Sequence, residues 1–510
     1  MDALFQNNLL SLILFTPLAA ALVVLLLPKD QPNALRWTAF VGSLFPLGLT
    51  IYAWLRFNSL APGFQLQESY EWFTVIHSSY HLGVDGISLP MILLTTILTP
   101  LALLFSFNIS DKVKAFMVLF LMLETGMLGV FMALDLVLFF LFWEVGLIPM
   151  YFLINIWGSA NRRYASFKFF IYTMAGSVGL LLAIQTIGIT LGTFDIIAAI
   201  QRWPALTGSI YGLPVTTVRT VAFWAFTIAF AIKVPIWPFH TWLPDAHTEA
   251  PTGGSMILAG VLLKLGAYGF LRLVLPLYPV EAAQFAIVLA CLGLLAIIFG
   301  ALASFGQNDF KRLVAYSSVN HMGFVVLGIA AAAWAAQNPS AELRTSGIMA
   351  ANGAVLQMFS HGLSAAGMFL LVGVIYERTH TRNLLEWGGV FPLAPVYGGL
   401  LIFTSMASLG LPGLAGFVSE FMVVRGAWPI FTLFTALATL GLFVTGAYVL
   451  KGVVATLYGP INRQWLGHRL EISAREVVAL TPLVVLLVLN GVWPAWLVSV
   501  INDTVTRLLA

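Results

Sequence analysis

Long apolar stretches, separated by short polar segments, recur along the whole chain. A helix that crosses a bilayer needs roughly 17–25 consecutive, mostly apolar residues. By that measure the candidate spans lie at 9–28, 37–57, 85–106, 113–132, 136–156, 166–191, 217–240, 254–275, 282–304, 314–334, 348–376, 393–422, 430–455 and 477–501. The pattern therefore predicts an all-α polytopic membrane protein with about 14 transmembrane helices.

The composition supports this prediction. Of the 510 residues, 60% are hydrophobic and 9% are charged, whereas a soluble domain has about 25% charged residues. This balance excludes an ordinary soluble protein. The single cysteine, Cys291, excludes a disulfide framework and a cysteine-ligated zinc or iron–sulfur site within this chain alone.

Basic residues are distributed unevenly between the two sides of the predicted helix array. In membrane proteins the loops richer in Lys and Arg face the cytoplasm. The segments after odd-numbered spans contain Lys29, Arg36, Lys112, Lys114, Arg162, Arg163, Lys168, Lys311, Arg312, Arg378, Arg382, Arg463, Arg469 and Arg475. The opposite side has half as many: Arg56, Arg202, Arg219, Arg272, Arg344, Arg425 and Arg507. We therefore predict that the odd-numbered loops are cytoplasmic and that both termini lie outside.

Two predicted spans contain internal helix breaks. Span seven reads FTIAFAIKVPIWPFHTW, and its Pro235 and Pro238 remove backbone donors. Span twelve reads FTSMASLGLPGLAGFVSEF and is broken around Pro412. The two breaks are five spans apart, an odd offset, so a five-helix unit repeated at that offset would be inverted in the membrane. Paired broken helices in inverted repeats point to a transport site. The alternative is that prolines are simply commoner in membrane helices.

Few ionisable residues lie inside the predicted spans. A charge at the centre of a membrane helix costs about 2.5–3.5 kcal/mol, so such residues are functional by default. Burial disfavours the charged form and a nearby opposite charge favours it, so these groups change protonation state when a neighbouring charge moves. A proton relay requires this property. The residues are Glu124, Glu144, Lys233, Lys264, His321, His361 and Glu420.

Each of these residues also has a structural interpretation. Lys264, in ILAGVLLKLGAYGF, is either a relay group or a hydrogen-bond donor to a broken helix. Glu124, in LMLETGML, is a relay group or makes a hydrogen bond between helices. An isolated histidine is usually a satisfied core residue, but His321 and His361 lie in the small, polar stretches SSVNH and SHGLS, which can hold water.

The loop FHTWLPDAHTEAPT after span seven is rich in titratable groups. It contains His240, Asp245, His247 and Glu249. These residues suit proton uptake from the cytoplasm, or they belong to a merely solvated loop.

Several catalytic signatures are missing from the sequence. No glycine-rich nucleotide-binding motif follows a strand, and no His-x-x-x-His pair lies on a predicted helix. We therefore expect neither a cofactor nor a metal in this chain, and no redox chemistry of its own.

Four blocks of sequence resemble the antiporter-like membrane subunits of respiratory complex I, and the subunit M group among them. They are ALDLVLFFLFWEVGLIPMYFLI, AFAIKVPIWPFHTWLPDAHTEAPTGGSMILAGVLLKLGAYG, FGQNDFKRLVAYSSVNHMGF and LPGLAGFVSEFMV. The likeness runs from about residue 80 to residue 460. Relatives in the L and N groups, and in Mrp-type antiporters, usually carry a lysine on the broken twelfth helix, where this chain has Glu420.

The resemblance implies a domain organisation. Residues 1–112 would form helices 1–3, and 113–275 would form the first five-helix repeat. Residues 282–457 would form a second, inverted five-helix repeat, and 458–510 a cytoplasmic loop with the last helix.

The resemblance also implies a proton channel. Glu144 would pair with Lys233, and the charge state of that pair would set the proton affinity of Lys264. Glu420 would be the outlet toward the periplasm. His240, His321 and His361 would link these groups through water.

By the same resemblance, the chain is a proton-translocating subunit of NADH:quinone oxidoreductase in a bacterial inner membrane, with both termini periplasmic. Its partners would be the L-like and N-like antiporter-like subunits and membrane lipids, with no nucleic acid. FMN, iron–sulfur clusters and quinone would lie in partner subunits. The alternatives are a subunit of an Mrp-type cation/proton antiporter, a subunit of a membrane-bound hydrogenase, or a passive membrane scaffold.

Overall fold

Apolar helices account for most of the computed structural model, which describes residues 7–509. The first group comprises α1 (Leu9–Leu26), α2 (Pro32–Arg56), α3 (Ser88–Phe105), α4 (Val113–Met132), α5 (Leu136–Trp157, interrupted at Gly146) and α6 (Arg162–Leu191). The second comprises α7 (Val215–Lys233), α8 (Thr252–Leu277), α9 (Ala286–Phe305), α10 (Phe310–Ala336) and α11 (Ala341–Thr379). The chain continues with α12 (Pro395–Leu409), α13 (Ala415–Ala427), α14 (Thr432–Leu457), α15 (Ala474–Val492) and α16 (Ala495–Leu508). Short helices lie at Ile196–Arg202, Trp242–Glu249 and Pro279–Gln284.

Thirteen helices within the described residues are long and apolar enough to cross a membrane. The predicted class, a helical multi-pass membrane protein, is confirmed. The total of fourteen spans and the inverted relation of two five-helix units stay predictions. Span twelve is two helices, α12 and α13, and span fourteen is also two, α15 and α16. Span seven ends at Lys233, earlier than the sequence predicts, because the helix stops before its prolines.

The helical prediction overlooked a β-hairpin between α2 and α3. Strand β1 (Gln65–Phe73) pairs antiparallel with β2 (Ser78–Val84), and two further short strands pair at Ser209–Ile210 and Leu213–Pro214. The carboxylate of Glu68 on β1 accepts hydrogen bonds from the amides of Leu10 and Ser11. It therefore supplies partners to the first turn of α1, where free amides would otherwise lack acceptors.

The centre of the molecule is formed by α8 and α11, whose most apolar windows are wholly buried. In the peripheral helices α1, α2, α14 and α15, by contrast, only about a third of the residues in the apolar windows are buried, as expected for surfaces that face lipid or other chains. Polar residues on α8 and α11 are thus withdrawn from the surface. Their partners must come from other parts of this chain.

Candidate functional site

Lys264 lies on α8 between two π-helical turns, Leu258–Leu262 and Phe270–Val274. Such turns widen a helix and release backbone carbonyls, and they are frequent at functional sites. The Lys264 side chain is fully buried, and its ammonium group donates to the carbonyl of Ala259 within the first π-helical turn. The predicted structural role, hydrogen bonding within an irregular helix, is therefore present. The ammonium group also has a second partner.

The ammonium group of Lys264 also contacts a histidine from the other half of the chain. Its Nζ lies 2.8 Å from Nδ1 of His361 on α11. The ring of His361 lies 5.5 Å, centroid to centroid, from that of His321 on α10. The Nε2 of His361 is buried and has no hydrogen-bond partner in the described part of the chain. The two histidines, which the sequence places forty residues apart along separate helices, are neighbours.

His321 in turn contacts the carboxylate of the broken helix pair. Its Nδ1 lies 2.7 Å from Oε1 of Glu420 on α13, and both side chains are almost fully buried. Its other nitrogen, Nε2, lies 3.2 Å from the Ser408 hydroxyl and 3.3 Å from the Tyr448 hydroxyl. Lys264, His361, His321 and Glu420 therefore form a continuous row of titratable groups, called here the polar axis.

The interruption between α12 and α13 positions Glu420. Gly410 has φ +86° and Gly413 has φ +92°, a left-handed backbone that glycine adopts without strain. The helix α13 then restarts at Ala415 and places Glu420 toward α11, where Gln357 donates its Nε2–H to Oε1 over 2.9 Å. Broken backbone inside a bilayer is tolerated where protein groups satisfy it.

Sequence reasoning missed Gln357, Ser408, Ser419 and Tyr448. Gln357 precedes His361 by four residues on α11, a spacing that puts both on one face of a helix and could have identified it. The Ser419 hydroxyl donates to Oε1 of Gln357 and fixes the orientation of its amide. No sequence signal identifies Tyr448, because it lies in a mostly apolar stretch of α14 that only folding brings to the site.

The predicted pair of Glu144 and Lys233 is arranged differently from the polar axis. Lys233 ends α7 and is buried, and its ammonium group lies 5.0 Å from the ring centroid of Trp143, the residue before Glu144. Glu144 is half-buried, and its Oε1 has no hydrogen-bond partner. The two groups interact electrostatically without a direct ion pair. A cation over an indole face is favourable by about 0.5–2 kcal/mol, so Trp143 holds Lys233 in place.

The segment after α7 is not the solvated loop that one interpretation expected. Residues Trp242–Glu249 form a helix in which His247 and Glu249 are buried. The ring of His247 stacks on Phe369 at 4.5 Å, and neither of its nitrogens has a hydrogen-bond partner among the described residues. The indole of Trp242 donates to the free carbonyl of Ile232 and so satisfies the end of α7. His240 is half-buried beside Tyr316 and forms no hydrogen bond with the polar axis.

Glu124 is fully buried on α4, and neither of its carboxyl oxygens has a hydrogen-bond partner within residues 7–509. The hydrogen bond between helices that the sequence offered as an explanation is therefore not formed.

Arg272, which the sequence analysis assigned to a loop, lies near the end of α8. It pairs with the buried carboxylate of Asp85 over 2.5 Å. Burying a charge is costly unless it is paired, and Arg272 and Asp85 satisfy each other.

Comparisons with known proteins place the chain in a family. Residues 133–445 match the family described as "NADH:quinone oxidoreductase/Mrp antiporter, TM", and residues 35–133 match "NADH-ubiquinone oxidoreductase chain 4, amino terminus". The chain is 40% identical over 520 residues to NADH-quinone oxidoreductase subunit M of Rhodobacter capsulatus, with 99% of this chain and 97% of that protein covered.

Solved structures share the fold. A chain of respiratory complex I from Thermus thermophilus with bound NADH superposes with a TM-score of 0.84 at 27% identity, covering 98% of this chain and 100% of that chain. A chain of the Mrp complex from Dietzia superposes with a TM-score of 0.81 at 18% identity, covering 99% and 98%. At 18% identity, the match to the Mrp chain supports a shared fold only.

Proposed function

Because the chain belongs to the subunit M family of NADH:quinone oxidoreductases, we propose that it is an antiporter-like membrane-arm subunit of such an enzyme and translocates protons. The enzyme's electron transfer would take place in other subunits, which would carry FMN, iron–sulfur clusters and quinone. The chain would lie in a bacterial inner membrane between L-like and N-like subunits, with both termini on the periplasmic side.

One observation carries the proposal: the polar axis joins the two halves of the chain in the middle of an otherwise apolar core. Lys264 comes from α8, and its partners His361, His321 and Glu420 come from α11, α10 and α13. Burying such groups is costly unless they are paired. Here Lys264 contacts His361, His321 contacts Glu420, and the rings of the two histidines lie side by side. A proton taken up at Lys264 would pass to His361 and then, through water or a small movement of the rings, to His321 and Glu420.

Glu144 and Lys233 would control this path rather than carry protons along it. They lie near each other without an ion pair, so a small movement would change the interaction energy substantially in a medium of low dielectric. We propose that closure of this pair removes a positive field from Lys264 and opening restores it. His240 and the buried His247 would serve proton uptake on the cytoplasmic side.

An Mrp-type cation/proton antiporter is the second candidate, favoured by the shared fold. A dehydrated metal cation is held by several convergent oxygen ligands. The described carboxylate of the polar axis, Glu420, stands among a histidine, an amide and hydroxyl groups. This set of groups suits protons better than sodium.

The first test is the Lys264→Ala variant of the assembled complex in membrane vesicles. We expect NADH-driven proton uptake and quinone reduction both to fall by about 10²-fold or more, the effect of removing a positioned proton-transfer group. A matched control is Lys451→Ala, because Lys451 caps the end of α9 through the carbonyls of Phe305 and Gln307, away from the polar axis.

The control should assemble and pump at close to the wild-type rate. Normal proton uptake in Lys264→Ala would contradict the proposed path. A sodium-dependent, NADH-independent exchange by the purified wild-type chain would instead support the antiporter alternative.

A further inference from the structure

Glu124 differs from the other buried carboxyl groups in the described part of the chain. Glu420 contacts a histidine and an amide, Asp85 contacts an arginine, and Glu68 accepts hydrogen bonds from backbone amides. In Glu124 both oxygens are buried and both lack a hydrogen-bond partner. An ionised carboxylate is strongly disfavoured in such surroundings. We therefore infer that the Glu124 carboxyl group is protonated in this arrangement.

The contacts of α4 show where this carboxyl group lies. The hydroxyl of Tyr268 on α8 donates to the carbonyl of Phe131 over 3.0 Å, and the two rings pack edge to face at 5.2 Å. At the other end, a Cβ on Gly253 would lie 3.3 Å from Cζ of Phe120. Phe120 and Phe131 are both buried on the side of α4 that faces α8. Helix periodicity places Glu124, four residues after Phe120, on that same side.

The same two contacts fix the level of Glu124 along α8. Helices α4 and α8 run in the same direction, because Phe120 is near Gly253 and Phe131 is near Tyr268. Lys264 lies one helical turn before Tyr268, and its side chain runs back toward Ala259. The segment of α8 that carries Lys264 packs directly on α4. The protonated carboxyl group and the ammonium group thus occupy neighbouring levels of one helix interface.

We propose that Glu124 is a proton-carrying residue that reloads Lys264, an inference that rests on the proton-translocating function proposed above. When the Lys264 ammonium passes a proton to Nδ1 of His361, a neutral amine remains. The Glu124 carboxyl then donates its proton to that amine, which leaves a carboxylate beside an ammonium. The next proton taken up neutralises the carboxylate and restores the resting state. Charge and protons balance at each step.

Opposite charges stabilise each other in the intermediate state, whereas an isolated carboxylate at this position would be unfavourable. Glu124 can therefore lose its proton only while Lys264 is able to accept it. This condition couples the two groups and prevents Glu124 from releasing a proton elsewhere.

The test uses the assembled complex in its native membrane with the Glu124→Gln substitution, which keeps the shape of the side chain and removes its exchangeable proton. We expect NADH-driven proton uptake to fall by about tenfold or more. Thr125→Val is the matched control, because Thr125 is buried beside Glu124 and its hydroxyl bonds only within α4, to the carbonyl of Leu121. This control should pump normally.

A second measurement separates proton transfer from packing. Infrared difference spectra of the wild-type complex during turnover should show the loss and return of a protonated carboxyl band that is missing in Glu124→Gln. Slow pumping without such a band would overturn the inference, as would normal pumping in Glu124→Gln.

Lys264→Ala distinguishes the two levels of the proposal. If Lys264→Ala abolishes pumping and Glu124→Gln does not, the inference about Glu124 fails and the proposed function stands. If Lys264→Ala pumps normally, the proposed function itself fails.

Discussion

Glu420 has the most completely satisfied environment of the buried titratable groups on the polar axis. Its Oε1 accepts from Gln357 over 2.9 Å and contacts Nδ1 of His321 at 2.7 Å. Hydrogen bonds to an ionised acceptor contribute about 1.5–3 kcal/mol, more than neutral ones. At the scale of single residues, these contacts hold the carboxylate where His321 can deliver a proton to it.

Replacing Glu420 with Gln should therefore lower the stability of the protein and slow proton transfer. The glutamine carbonyl could still accept from Gln357, but the contact with His321 would lose its charge, so we expect a loss of stability of about 1–3 kcal/mol. Proton uptake by vesicles should fall by about tenfold or more. Glu342→Gln, at an exposed position in the first turn of α11, is the control that should change neither quantity. Unchanged pumping in Glu420→Gln would remove Glu420 from the path.

At the scale of elements, the break between α12 and α13 decides where Glu420 points. Two glycines there have a left-handed backbone: Gly410 at φ +86° and Gly413 at φ +92°. A left-handed conformation costs an ordinary residue about 1–2 kcal/mol. The two positions differ in their surroundings, because a Cβ on Gly410 would lie 3.4 Å from Oε2 of Glu420, whereas a Cβ on Gly413 would meet nothing within 4 Å.

This difference makes a matched pair of variants. Gly410→Ala and Gly413→Ala should each lower stability by about 1–2 kcal/mol, measured as a shift in the thermal unfolding of the complex. Only Gly410→Ala should also slow proton uptake, because its methyl group would lie against the carboxylate and replace water or polar atoms there. Equal pumping in the two variants would show that the break does not position Glu420.

Much of this element-level structure could be predicted from the sequence. Prolines mark both breaks because proline lacks an amide, and glycines, which tolerate a positive φ, mark the break between α12 and α13. The hairpin of β1 and β2 was missed because the prediction rested on long apolar stretches, whereas these strands are short and rich in polar residues. Asp135, at the start of α5, accepts from the Ser78 hydroxyl and the Ser79 amide over 3.0 Å each, and such contacts leave no local sequence signal.

At the scale of the whole molecule, a buried ion pair joins segments that are distant in sequence. Asp85 precedes α3 and Arg272 lies 187 residues later near the end of α8. The amide of the neighbouring Gly86 donates to the Thr504 hydroxyl of α16 over 3.0 Å. The pair therefore links the start of α3, the end of α8 and the last helix.

Asp85→Asn should destabilise the chain by about 3–5 kcal/mol, because it leaves the Arg272 guanidinium buried without a counter-charge. The asparagine can still accept from the amides of Ile87 and Ser88, as Asp85 does over 3.0 Å, so the start of α3 keeps its cap. The double variant Asp85→Asn with Arg272→Met should recover most of the loss. Thermal unfolding of the purified complex measures the stability of the single and the double variant. A double variant as unstable as Asp85→Asn alone would contradict this explanation.

The sequence by itself determined the class of the protein, because the length and polarity of each apolar stretch depend only on neighbouring residues and on the thickness of a bilayer. It also determined which residues are costly to bury, and so identified Lys264, His321, His361 and Glu420 as candidates. Only the tertiary structure decided which of them meet. Contacts between helices depend on how four separate elements rotate and pack, and spacing along the chain carries no such information. For that reason Lys264 and His361 are in hydrogen-bond contact in the structure, whereas Glu144 and Lys233 interact only through their charges, without a direct ion pair.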